Sequence, residues 1–100
     1  MSSLFTLELA IEFYRESRSL RLPAHLKSQY LRACSSVAMN LSEGSAKPTV
    51  ADRRRFYFVA LGSFRECETI LRLHGHTAPA LLQKSDFLGA CLYRLCQAVK

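Results

Sequence analysis

The chain has 100 residues, 49% of them apolar or aromatic, and a formal net charge of +6 made by ten arginines and four lysines against eight acidic residues. This length fits a single domain over residues 1–100, and the apolar content excludes a disordered or low-complexity chain. The basic balance favours contact with phosphate or an acidic protein surface, although a net charge of this size also serves solubility alone.

Taken in order, four segments have helical periodicity. The first runs from about Leu4 to Ser19, with Leu4, Leu7, Ile11 and Tyr14 as its apolar stripe and Glu8, Glu12, Arg15 and Glu16 on the wet side. Leu22-Pro23 breaks the chain, because a residue before proline avoids the helical region. The second helix runs from about Ala24 to Glu43, with Leu26, Tyr30, Ala33, Val37 and Leu41 on one face and Cys34 and Ala38 widening it. Gly44 follows the last periodic residue and is expected as its left-handed C-terminal cap.

The third helix spans about residues 50–73. Thr49 is placed to cap it, with Asp52 three residues on in a capping-box-like arrangement. Phe56, Val59, Ala60, Phe64, Cys67, Ile70 and Leu71 form the expected core face, while Tyr57, Phe58 and Leu61 point elsewhere. A helix apolar on two sides is buried on two sides, which predicts a subunit interface. His74-Gly75-His76 ends this helix, and Thr77 and Pro79 open a turn before a fourth helix over about Ser85 to Val99, with Leu88, Leu92, Leu95 and Val99 inward. Short connections between consecutive helices imply an all-α, antiparallel up-and-down four-helix bundle. Its apolar content exceeds what one small bundle hides, so self-association is expected.

The opening Met1-Ser2-Ser3 lacks the basic region of a signal peptide, and no long uncharged apolar run offers a membrane span, so a cytoplasmic location is expected. Cys34, Cys67, Cys91 and Cys96 form no C-x-x-C pair and lie in apolar runs, as reduced, packed thiols do. His74 and His76 with Cys67 lack zinc-site spacing, so no metal and no cofactor is expected.

Two constellations carry polar chemistry. Asn40 and Glu43 lie three apart, as do Ser63 and Glu66 behind Gly62, whose missing side chain suits a close helix approach. If the helices run antiparallel, these groups meet and must hydrogen-bond one another, holding the register. A pair of acid and base at Glu43 and Glu66 is the catalytic alternative, but it lacks a nucleophile, and no catalytic residue is assigned. The second constellation is Arg53-Arg54-Arg55 in the first turn of helix three, with Lys47 nearby and Tyr57 one turn along. A helix N-terminus favours acids, so this departure marks a functional candidate. It reads either as a phosphate site or as ion pairs to Asp52, Glu43 or a neighbouring subunit.

Leu22-Pro23, Leu26-x-x-Gln29, Arg32-Ala33, Ser36, Asn40-x-x-Glu43-Gly44, Phe56 and Ala60-x-Gly62-Ser63-x-x-Glu66 follow one another in an order that resembles the four-helix-bundle proteins related to the 23S rRNA-intervening sequence protein. The resemblance covers residues 4–75; Ser42 stands where the family more often has alanine, and Leu41 where it often has isoleucine. More distantly, the chain is similar to the accessory variability determinant of diversity-generating retroelements, which binds nucleic acid through a basic surface. The resemblance implies a bacterial cytoplasmic bundle that assembles into homopentamers and has no established catalytic residues. Asn40, Glu43, Gly44, Gly62, Ser63 and Glu66 transfer as signature positions with a structural role.

The resulting expectation is a non-enzymatic homo-oligomeric scaffold that binds RNA or DNA through Lys47, Arg53, Arg54 and Arg55, with Arg32, Arg65 and Arg72 behind them. Its expected partners are its own copies, nucleic acid and a nucleic-acid-processing protein. The alternative is a protein–protein interaction module without nucleic acid.

Overall fold

The computed structural model describes residues 2–75 and 78–98, which form four helices. These are α1 (Ser3–Ser17), α2 (Ala24–Ser45), α3 (Val50–His74) and α4 (Pro79–Ala98). Three of the starts and the end of α3 have local causes. The Ser2 hydroxyl accepts from the Phe5 amide at the head of α1, and the Thr49 hydroxyl accepts from the Asp52 amide at the head of α3. Gly75, at φ +83°, closes α3 in the left-handed conformation, and its amide donates to the Leu71 carbonyl. Pro79 occupies the first position of α4, where its fixed φ suits the helix and its missing N–H costs nothing. The fourth helix therefore starts six residues before the Ser85 expected from periodicity: the proline expected to open a turn opens the helix instead. Expected positions His76, Thr77 and Val99 lie outside the described residues.

The helices pack in a ring, α1 on α2, α2 on α3, α3 on α4 and α4 back on α1, with α2 and α3 the most extensively joined pair. The long dimension, 40 Å, is close to that of α3 alone, about 37 Å at 1.5 Å per residue. The core holds Tyr30, Cys34, Val37 and Leu41 of α2, Tyr57, Phe64 and Cys67 of α3, and Leu88 and Leu92 of α4. Phe13 of α1 reaches Phe64 of α3 across the centre, with ring centroids 6.0 Å apart. The Cys34 and Cys67 sulfurs meet at 3.3 Å between α2 and α3. Their hydrogen bond and the surrounding burial push the Cys67 thiol well above its ordinary range.

Three sequence expectations change. The buried stripe of α1 is Thr6, Ala10, Phe13 and Ser17, while Leu4 is 66% exposed and Leu7 and Tyr14 only border the core. Two hydroxyl residues disguise that stripe, and both are satisfied: Thr6 donates to the Ser2 carbonyl, and Ser17 pairs with the Tyr30 hydroxyl at 2.8 Å. In α3, Tyr57 joins the core and Val59 is exposed, the reverse of their assignment. Both glycine roles also change. Gly44 is no cap: α2 runs past it to Ser45, and Gly44 is buried with the space for a Cβ already filled, 2.8 Å from Tyr57 Cε1 and 2.9 Å from Phe56 Cβ. Gly62 is exposed and has nothing within 4 Å of its Cβ position. The close contacts belong to Gly44 against α3 and to Gly89, whose missing Cβ leaves room for the Phe64 ring.

Candidate nucleic-acid interface

The basic cluster lies where α2 hands over to α3. The chain leaves α2 through Ala46, and Arg53 folds back over the connection, donating to the Lys47 carbonyl at 3.0 Å and the Pro48 carbonyl at 3.2 Å. This explains the basic first turn of α3. A cation is unfavourable at that helix's own N-terminus, but here it faces carbonyls just beyond the C-terminal, negative end of α2.

Consecutive helical residues are about 100° apart, so three arginines in a row cannot form one flat patch. Arg53 turns to the connection. Arg54 influences the Cys96 thiol of α4, opposing the upward push of burial on that group. Arg55 lies 3.7 Å from the Asp52 carboxylate and 5.1 Å from the centre of the Phe56 ring. Lys47 is also 5.1 Å from that ring and pairs with Glu43 at 3.5 Å. Lys47 and Arg55 thus converge on Phe56, a cation–π arrangement with both charges still solvated. Tyr57, the aromatic expected beside the arginines, is buried, and its hydroxyl lies 3.4 Å from that of Ser45. The ring that accompanies the cations is its neighbour Phe56, and the adjacency to Arg55 in sequence was the available signal.

The ion pairs proposed as the bland reading of this cluster, to Asp52 and Glu43, are both present. They are exposed pairs at helical spacing, each worth well under 1 kcal/mol, so phosphate can displace them.

The signature polar residues divide. Ser36 and Ser63 join α2 to α3 through a 2.8 Å hydroxyl contact, and the Asn40 amide donates to the Ser36 hydroxyl and carbonyl. This half-buried network holds the register, and sequence spacing did not identify Ser36 as its centre. Glu43 and Glu66 are exposed and stand apart from the Ser36, Asn40 and Ser63 hydrogen bonds. Glu43 serves Lys47 instead. Of the supporting arginines, Arg65 is engaged by Glu68 at 2.7 Å, and Arg32 and Arg72 are exposed.

Among the described residues, no helix is long and apolar enough to cross a membrane. No curated protein and no solved structure matches the chain. The family model described as 23S rRNA-intervening sequence protein matches residues 6–88. The chain belongs to that family.

Proposed function

We propose that this member of the 23S rRNA-intervening sequence protein family is a non-enzymatic, homo-oligomeric scaffold that binds RNA or another nucleic acid in the cytoplasm. The observation that carries the reading is the convergence of Lys47 and Arg55 on Phe56, beside Arg53 on the α2–α3 connection, with Arg54 of the same run turned towards α4. Arginine and lysine neutralise phosphates, and the adjacent ring offers apolar contact to a sugar or base. The scaffold is read as an antiparallel up-and-down bundle. Support comes from the α2–α3 contacts, where Cys34 meets Cys67, Ser36 meets Ser63 and Gly44 meets Tyr57, so that one number rises as the other falls.

Assembly is proposed as pentameric, on the family likeness and on the apolar side chains left outside. Met39 of α2 and Phe58, Val59 and Leu73 of α3 are 47–70% exposed. Repeating a weak basic patch around a ring multiplies its affinity through avidity. The same exposed side chains favour the second reading, a protein–protein interaction module.

The test is anisotropy of labelled RNA and DNA oligonucleotides with nucleic-acid-free protein at several salt concentrations. With about three phosphates neutralised per subunit, affinity falls about 20- to 40-fold between 50 and 200 mM salt. Substituting Lys47 and Arg55 with Ala should weaken binding to all sequences and flatten that slope by about 1.4 to 1.8. Absence of salt-sensitive binding overturns the reading; a stoichiometric protein partner that survives nuclease favours the alternative.

A further inference from the structure

We propose that the outer face of α4 is a self-complementary contact that pairs two copies of this chain about a two-fold axis at Ala90. The face is exposed along its length and nearly devoid of charge. Of the three charged residues of α4 in the described region, Lys84 is turned to α1 by Glu12 and Glu16 at 3.6 and 3.4 Å. The other two, Asp86 and Arg94, are exposed and have no ion pair among the described residues. They are eight residues apart, about 12 Å along the axis, too far to neutralise each other within one helix.

The residues of this face are matched about its centre, aromatic with aromatic, amide with amide and acid with base. Ala90 is the midpoint of Asp86 and Arg94, of the exposed aromatics Phe87 and Tyr93, and of Gln83 and Gln97. An antiparallel copy centred on the same alanine therefore presents Arg94 to Asp86, Tyr93 at the height of Phe87, and Gln97 to Gln83. At 100° per residue, Asp86 and Arg94 lie about 40° to either side of Ala90, which places them beside the line of contact. The methyl side chain of Ala90 permits the close crossing that helix pairs adopt at about 8 Å. Across that line each Arg94 guanidinium reaches the carboxylate of the second copy and lies beside its Phe87 ring, two contacts that reinforce one another.

The strip from Gln83 to Gln97 is about 21 Å long and about 10 Å wide, which places the contact among small, weak interfaces. Phe5 of α1, edge-on to Phe87 with centroids 6.1 Å apart, widens it. The pairing is accordingly concentration-dependent. It is isologous, whereas the contacts that close a ring are head-to-tail, so it joins two subunits or two rings whatever the ring number.

An Ala90→Cys variant tests it under mild oxidation, read as covalent dimer on a non-reducing denaturing gel, with the wild type and its four buried cysteines treated in parallel. Residue 90 meets its own counterpart only across a two-fold axis. In that background Asp86→Arg and Arg94→Asp should each lower dimer yield about tenfold or more. Mixing the two variants in equal amounts should restore it, because each then presents the opposite charge to the other. Helical circular dichroism and a thermal melt confirm that each variant is folded, and exposure of all three positions makes this the expected outcome. No excess of dimer over wild type, or a mixture no better than either variant alone, overturns the proposal. Light-scattering mass of the unmodified protein reports separately on the ring, so a failed pentamer and a failed α4 pairing are distinguished.

Discussion

Replacing Gly44 with Ala is expected to destabilise the protein although alanine is the better helix former. The added Cβ would lie 2.8 Å from Tyr57 Cε1, 3.0 Å from Tyr57 Cδ1 and 2.9 Å from Phe56 Cβ. The ring of Tyr57 is locked in the core at 3% exposure. Phe56 Cβ is bonded directly to the backbone of α3, so that contact is relieved only by moving α2 and α3 apart. Overpacking of this kind costs about 1–3 kcal/mol, and the gain in helix propensity returns up to about 1 kcal/mol. A mid-range cost of about 2 kcal/mol less a gain of about 1 kcal/mol leaves a net loss of about 1 kcal/mol, which for a domain of this size lowers Tm by about 4–8 °C. The same change at Gly62 meets nothing within 4 Å and should raise Tm by about 2–8 °C, from a gain of about 0.5–1 kcal/mol. Thermal melts of both variants at one protein concentration make the comparison. A Gly44→Ala variant as stable as the wild type would refute the close α2–α3 approach. A destabilised Gly62→Ala would instead place a neighbouring subunit against the exposed face of α3.

Tyr30→Phe removes the partner of the fully buried Ser17 hydroxyl and should cost about 1–3 kcal/mol by denaturant titration. Adding Ser17→Ala should recover part of that loss, and strict additivity would deny the 2.8 Å contact. The hydrogen bond with Cys34 and burial raise Cys67, and burial raises Cys91 and Cys96, so the folded state keeps protons that the unfolded state loses above the ordinary thiol value of about 8.5. Stability is then complete below that pH and falls above it, by about 1.4 kcal/mol per pH unit for each thiol held protonated. Tyr30, raised chiefly by burial, joins above pH of about 10. A flat urea midpoint between pH 8 and 10.5 would contradict this sign. Lys84→Ala should cost under about 1 kcal/mol despite two carboxylate neighbours, because all three side chains are at least one-third exposed. A larger loss would mean that α1 depends on this bridge.

Helical periodicity, the Thr49 cap and the cluster of cations are local properties, and they were legible residue by residue; the Ser2 cap of α1 was seen only in the structure. The stripe of α1 was not legible, because Thr6 and Ser17 count as polar until Ser2 and Tyr30 are seen to satisfy them. Nor was the start of α4, because proline breaks a helix interior and begins a helix equally well. The candidate interface was half visible. The cations stood out as a run, but their divergence around α3 and their convergence on Phe56 depend on where α2 ends.

By itself the sequence determined that this protein is helical, where most of its helices lie, which charges it carries and to which family it is similar. The tertiary structure alone decided which glycine is indispensable. Gly44 and Gly62 are equivalent as letters in a helix, and only the position of the facing helix fills one Cβ site and leaves the other open. The same holds for Arg53, whose cost at a helix N-terminus disappears only when the end of α2 is brought beneath it. Local patterns fix a helix because its hydrogen bonds are local; contacts between helices depend on rotation and offset, which no single segment specifies.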